Sequence, residues 1–306
     1  MVFSVCVLAA LGPVAALAAN GAGSAAPWWI WPLALFLVCF VLGIVAVPAG
    51  IGGGVLFVPI VSGFFPFHLD FVRGAGLLVA LSGALAAGPG LLRAGLADMR
   101  LALPLALLAS VGAVIGALIG LAAPASAVQV ALGIAILCIA ALMLASRNSE
   151  YPEVARPDAL GAALRMSGVF RDPATGREAA WRVHRTPLAL ALFAGIGVLA
   201  GLFGLGAGWA NVPALNLVMG VPIKLSAGTS GFILSIVDSA AAWVYINKGA
   251  MLAMIAVPSV IGMMLGAFIG ARLLRVLDAK VVRRLVVAIL LLSGVRALTK
   301  GMGWWG

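Results

Sequence analysis

The sequence predicts an all-α polytopic membrane protein made of two inverted-topology repeats, each of about five membrane segments and each containing a glycine-broken re-entrant or discontinuous helix. Three observations carry this. The 306 residues are 64% hydrophobic and only 9% charged, against roughly 25% charged residues in soluble domains. The mean hydropathy is +1.21. A shift of 154 residues lays the second half of the chain on the first, glycine on glycine and proline on proline.

No Asp, Glu, Lys or Arg occurs from Trp28 to Leu69, Leu101 to Ser146, Thr186 to Ile223 or Gly249 to Ala271. Each run has room for one or two spans of about 20 residues. Small residues recur at helix-packing spacing, Gly112 with Gly116 and Gly266 with Gly270. This favours close-packed helices over a membrane barrel, whose strands alternate apolar and polar residues.

Residues 1–27 precede the first repeat. Val2 to Ala19 is an uncharged apolar stretch followed by the turn-rich Asn20 to Ala26. A cleaved signal peptide and an extra N-terminal span both fit: Ala16-Leu17-Ala18 resembles a cleavage site, but the basic segment that opens a signal peptide is missing. The first repeat occupies residues 28–146. It reads as an apolar run from Trp28 to Val47, a glycine-rich break, a short run from Val55 to Phe65, and helices over Val72–Leu92, Leu101–Leu121 and Ala125–Ala145.

Residues 147–186 form a polar linker holding five of the nine acidic residues. Val169 to Arg177 followed by Ala179 to Val183 reads as a small hairpin around the turn Pro173-Ala174-Thr175-Gly176. A cytoplasmic connector is the default reading and a regulatory domain the alternative. The second repeat, residues 187–306, pairs with the first at Gly43 and Gly197, Gly52 and Gly206, Pro59 and Pro213, Gly74 and Gly228, Pro104 and Pro258, and Gly116 and Gly270. Repeats of this length in an apolar chain mark secondary transporters, with the substrate held between the halves.

Charge placement favours inversion. With an odd number of passages per repeat, 15 of the 19 basic residues fall inside, leaving Arg73, Lys248, Arg296 and Lys300 outside; a parallel arrangement divides them 12 to 7. Lys and Arg concentrate on the cytoplasmic side. The net charge of +10 is therefore a topology signal, and nucleic acid is not expected as a partner. Trp28, Trp29, Trp31, Trp304 and Trp305 fit interfacial anchors. Cys6, Cys39 and Cys138 lie in apolar runs without a CxxC spacing, and His68 and His184 have no carboxylate cluster beside them. No metal, cofactor or disulfide framework is expected. A membrane enzyme would need a nucleophile with its base, or paired carboxylates, inside the spans, and the apolar runs supply one deep acid and no histidine.

The chemistry gathers at the two breaks, Ala49 to Val55 and Phe203 to Trp209. Glycines there allow sharp turns, and the short helix that follows points its N-terminus into the gap. Such an end carries partial positive charge and free N–H groups and so takes anions. The run Val55–Phe65 spans about 16 Å as a helix, half the hydrocarbon thickness. The bland alternative is that the glycines permit close packing. Gly52, Gly53, Gly54, Gly206 and Gly208 are the backbone candidates for substrate binding. Beside the second break stand Asn211 and Asn216, then Ser226, Gly228, Thr229 and Ser230, whose hydroxyls suit an oxyanion.

Gly204 to Ser230, a glycine-rich segment, an apolar-proline segment and an A-x-G-T-S sequence opening the next helix, resembles the sulfite exporter (TauE/SafE) family. The first half keeps Gly50 to Gly54 and Pro59 but has Arg73-Gly74-Ala75-Gly76 at the position of Gly-Thr-Ser. The resemblance extends over about Leu33 to Leu298 outside the linker. It implies a secondary transporter exporting sulfite or a related small sulfur-containing anion, such as an organosulfonate, across a bacterial inner membrane, with an anion channel or a carrier for another small anion as alternatives. The partners implied are the anion and the lipid bilayer; a homodimer is compatible with the reading. Arg73, with Gly74, fits a cationic anion contact replacing the missing hydroxyls, and equally a side chain snorkelling to the interface. Asp238 is the one acid placed well inside a span, with Ser235 a turn before it. Such acids mark ion or proton paths, although a hydrogen bond to a neighbouring helix is the structural alternative. Its repeat mate is Ala84, so a proton site there is asymmetric.

Overall fold

The computed structural model describes residues 27, 29–46, 52–93, 95–145, 152, 154, 158–171, 178–206, 208–273 and 279–303. The reading of residues 1–26, the linker turn at 172–177, Gly50, Ala207, and Trp28, Trp304 and Trp305 lie outside these. The helices of the first half are α1 (Ile30–Ala46), α2 (Gly54–Phe64), α3 (Leu69–Arg93), α4 (Met99–Ala122) and α5 (Ala125–Ala145). A short α6 (Ala159–Ala163) and a two-stranded hairpin, β1 (Ser167–Arg171) and β2 (Glu178–Arg182), follow in the linker. The strands are antiparallel, with Val169 opposite Ala180 and Phe170 opposite Ala179. The second half comprises α7 (Thr186–Phe203), α8 (Gly208–Pro213) running on into one π-helical turn (Ala214–Val218), α9 (Ile223–Asn247), α10 (Ala253–Leu273) and α11 (Ala279–Gly301).

Six of these helices are long and apolar enough to cross a membrane: α3, α4, α5, α7, α9 and α10. The protein is a multi-pass membrane protein. Its periphery is apolar. On α4, Leu103, Leu107, Val111 and Ile115 are exposed, and the same shift of 154 residues carries them onto the exposed Val257, Ile261, Leu265 and Ile269 of α10. An apolar stripe of this width on the outside of a bundle suits lipid, where water would be excluded at no cost.

The repeat read from the glycines is also a repeat of structure. The starts of α2, α3, α4 and α5 at residues 54, 69, 99 and 125 recur as the starts of α8, α9, α10 and α11 at 208, 223, 253 and 279. Contacts recur with the halves exchanged. Gly43 of α1 lies against the backbone of Met263 in α10, and Gly197 of α7 lies against Ala109 in α4. Gly266 faces the Phe40 carbonyl, and Gly112 faces the Ala194 carbonyl. Gly74 meets Ala250, and Gly228 meets Leu96. In each pair, moving one residue forward by 154 and the other back by 154 generates the second contact from the first. The glycines are where they are because helix backbones touch directly, leaving no room for a Cβ.

The order of these contacts gives helix sense. Phe36, Phe40 and Ile44 of α1 meet Gly262, Gly266 and Gly270 of α10 in rising order, so the two run the same way. Ala194, Val198 and Leu202 of α7 meet Gly112, Gly116 and Gly120 of α4 in the same manner. Arg73, at the start of α3, reaches the Gly120 carbonyl near the end of α4, so α3 and α4 run oppositely. Along α3 and α10, Gly74 faces Ala250 and Gly83 faces Met263, again in rising order.

Contacts join the residues that flank each short helix to the start of the helix before it. Trp31 at the start of α1 packs on Phe65 and Phe67 beyond the end of α2, with ring centroids 5.7 and 6.0 Å apart. In the second half the His184 amide, just before α7, donates to the Met219 carbonyl beyond the π-turn at 3.2 Å.

Candidate functional site

The two breaks meet in the middle of the bundle. A methyl placed on Gly208 would sit 2.7 Å from the Gly52 nitrogen, and one placed on Gly54 would sit 2.6 Å from the Leu205 carbonyl oxygen. Leu234 of α9 lies over both, with its Cδ1 2.7 Å from the Cβ position of Gly52 and 2.9 Å from that of Gly208. Met263 closes the other side, its Sδ 2.8 Å from the Cβ position of Gly53. Of the residues singled out from sequence, Gly52, Gly53, Gly54, Gly206 and Gly208 therefore come together. The start of α2 carries no side-chain cap, and its Val55 and Leu56 amides turn back to the Gly52 and Gly53 carbonyls at 3.1 and 3.2 Å, so the junction meets the positive end of the helix dipole more than free donors.

Asp238 stands at the second break. Gly204 and Gly206 take φ of +66° and +72°, a left-handed backbone that glycine adopts at little cost. The chain there descends along α3, past Arg73 at Gly204 and Ala80 at Gly206. At Gly206 a methyl would meet Ala80 Cβ and Asp238 Oδ2, each at 3.0 Å. Asp238 is 0% exposed, and among the described residues neither carboxyl oxygen has a hydrogen-bond partner. Asn211, on α8 one turn beyond Gly208, is also 0% exposed, with both side-chain polar atoms unpartnered. Trp209 Nε1 is a third buried and unpartnered donor. Buried polar groups are nearly always paired, and leaving one dry costs about 1–3 kcal/mol. Trp209 and Asn211 share a turn of α8 just after the break and Asp238 of α9 touches Gly206 within it, so three buried polar groups close to one backbone break lack a partner among the described residues.

The hydroxyls of α9 are elsewhere. Ser226 Oγ donates to the Val221 carbonyl at 3.2 Å, and the Asp98 amide donates to Thr229 Oγ1 at 3.2 Å. Gly228 packs against the Leu96 backbone. These residues join the start of α9 to the loop before α4, two to three helical turns from Asp238. Ser230 is buried on the same helix and is the repeat mate of Gly76. Ser235 lies one turn before Asp238, but its Oγ donates to the Phe232 carbonyl of its own helix at 2.8 Å.

Arg73 is 0% exposed and does not reach an interface. Its Nη1 donates to the Leu202 carbonyl at 2.9 Å and its Nη2 to the Gly120 carbonyl at 3.0 Å, with Asp70 as ion-pair partner and the Tyr245 ring 5.7 Å away. Leu202 and Gly120 are in the last turns of α7 and α4. A cation there satisfies carbonyls that the helices leave open and meets the negative ends of two dipoles. Gly74 beside it packs on the Ala250 carbonyl.

One feature was not legible in the sequence. The last carbonyls of α2 accept from α11: Arg296 Nε donates to Gly63 and Lys300 Nζ to Ser62, each at 2.7 Å, and the Arg296 guanidinium lies 4.1 Å from the Phe64 ring. The half-length helix is held by cations at its C-terminal end and has no side-chain cap at its N-terminal end, so its dipole points its positive end at the junction. Partners more than 230 residues apart leave no local pattern to read.

Comparison with known proteins agrees over nearly the whole chain. The profile of the family described as "Sulfite exporter TauE/SafE" matches residues 35–297. A "Probable membrane transporter protein YunE" from Bacillus subtilis (strain 168) is 25% identical over 283 residues, covering 87% of this chain and 98% of that protein. No solved structure matches the chain.

Proposed function

The chain belongs to the sulfite exporter TauE/SafE family, and on that premise we propose that it is a secondary transporter exporting sulfite or a related small sulfur-containing anion, coupled to protons through Asp238. The observation that carries this is the junction of the two breaks. There the start of α2 carries no side-chain cap, Asp238 stands against Gly206, and Asn211 lies one turn beyond Gly208, the carboxyl group and the amide side chain both without partners among the described residues. Amide donors at a helix start bind small oxyanions without a charged side chain, and an unpaired acid deep in a membrane bundle suits proton movement.

The halves are inverted repeats with re-entrant helices. Supporting this, α1, α3 and α10 run in one sense and α4 and α7 in the other, so α7 opposes its repeat mate α1. The pairs α1–α2 and α7–α8 each begin and end at one level. In this arrangement the loop at Ala97 and its mate at Met251 open to opposite sides. Single cysteines there, in a chain whose own three cysteines are replaced, are expected to react with an impermeant thiol reagent from opposite sides. Labelling of both from one side would leave the halves parallel.

The functional test is flux in proteoliposomes. Saturable sulfite flux that responds to an imposed pH gradient is expected, with thiosulfate and organosulfonates competing. Asp238→Asn is expected to keep flux down an anion gradient and to lose the response to the pH gradient. Flux that does not saturate would indicate a channel, and no flux from folded protein would return the substrate to unknown.

A further inference from the structure

Coupling of an anion to a proton allows two arrangements, separate sites on one moving part or a single shared site, and they predict different thermodynamics. We propose that the anion and the proton occupy one site, so that an anion binds only after Asp238 is protonated and the two cross together as a symport. The inference rests on the transport reading above and goes further by fixing binding order, stoichiometry and the direction each gradient drives.

The geometry carries it. Asp238 is not on a separate path: its Oδ2 lies 3.0 Å and its Oδ1 3.5 Å from the Cβ position of Gly206, inside the break itself. Leu234, one turn earlier on the same face of α9, touches both breaks. Gly54 at the start of α2 packs on the Leu205 carbonyl, next in the chain to Gly206, so an anion there is on the order of one small-molecule diameter from the carboxyl group.

No fixed charge near Asp238 offsets it. Among the elements packed around the junction, α2, α7 and α8 contain no Asp, Glu, Lys, Arg or His, and α10 has none before Arg272. On α4 the one ionisable residue is Arg100, in the first turn. On α3 they are Asp70 and Arg73, bound to each other at its start, and Arg93 at its end. On α9 itself they are Lys224 in the first turn and Tyr245, whose hydroxyl donates to the Gly201 carbonyl at 2.9 Å.

The charge balance follows. With Asp238 ionised the junction has a net charge of minus one and repels an incoming anion. Two like charges about 5 Å apart at an effective dielectric near 20 weaken binding on the order of a hundredfold. With Asp238 protonated the repulsion is gone and the carboxyl O–H becomes one more donor to the anion. By reciprocity the bound anion holds the proton by the same factor. A divalent anion then crosses with one net negative charge, which an interior-negative potential drives outward, whereas a monovalent anion crosses without net charge.

The test is equilibrium binding to the full chain in detergent from about pH 5 to about pH 9, with thiosulfate and methanesulfonate as probes because neither changes its own charge over that range. The expected result is affinity falling tenfold per pH unit above the point where Asp238 titrates, to a total loss of about a hundredfold. Close to one proton should be taken up per anion bound within the range where the affinity falls tenfold per pH unit, measured in weak buffer. Asp238→Asn, neutral at every pH and close in shape, is expected to bind both probes with an affinity that does not vary with pH and to take up no proton. Flat affinity in the parent chain, or an undiminished slope in Asp238→Asn, overturns the shared site while leaving transport intact. Failure of sulfite and both probes to bind folded protein overturns the transport reading and the shared site together.

Discussion

Gly206→Val is expected to lower flux at least a hundredfold while the protein still purifies as a folded, monodisperse species. Two effects combine. At φ +72° a β-branched residue is a genuine outlier, and left-handed backbone costs an ordinary residue about 1–2 kcal/mol. That cost is small beside the packing of the six long apolar helices and their shorter neighbours, so the fold survives. The second effect is local: the new side chain grows from a point 3.0 Å from both Asp238 Oδ2 and Ala80 Cβ, into the space between the break and the carboxyl group where the anion is placed. Gly206→Ala separates the two, because it carries the backbone strain with one methyl in the gap, and an intermediate flux is expected from it. The measurement is flux at saturating anion beside a size-exclusion profile and a thermal melt. Wild-type flux from Gly206→Val would remove the second break from the site.

How much of this was legible in the sequence depends on the range over which each residue acts. The repeat was legible because Gly43, Gly112, Gly197 and Gly266 sit where one helix backbone touches another, and only glycine fits; a contact of that kind is written directly into residue type. The breaks were legible for the same reason. Asp238 was legible from its surroundings alone, since an acid inside an apolar run is costly wherever its side chain points. The hydroxyls of Ser226 and Thr229 were not resolved by sequence. Small hydroxyls close loops as readily as they bind oxyanions, and here one donates to Val221 and the other accepts from Asp98. Arg73 was ambiguous because its carbonyl partners lie 47 and 129 residues away, and the cations that hold α2 were read only as charges on one side of the membrane. Symmetry found in sequence also hid an asymmetry of structure. The repeat mate of the continuous α2 is α8, which runs on into a π-turn, and the cations on Gly63 and Ser62, Arg296 and Lys300, have Leu142 and Ser146 as their repeat mates.

Arg73→Ala is expected to damage the fold more than any other single change considered. The substitution leaves the Leu202 and Gly120 carbonyls without their donor and Asp70 without its counter-charge, all at one point where α3, α4 and α7 meet. Arg73 is buried but Asp70 is partly exposed, so its stranded carboxylate is partly hydrated and the larger loss is the two buried carbonyls left unpaired, about 1–3 kcal/mol each. The measurement is the thermal midpoint of the purified protein together with its yield, and a fall in both is expected. Arg73→Lys tests the geometry. An ammonium keeps the charge but loses the planar fork that serves two carbonyls and a carboxylate at once, so part of the loss should persist. The double substitution Arg73→Ala with Asp70→Asn removes the stranded charge and is expected to recover part of the stability without restoring the carbonyl bonds. If instead Arg73→Ala is as stable as the parent and loses only anion affinity, the guanidinium acts on the anion, and the two helix ends are held by packing.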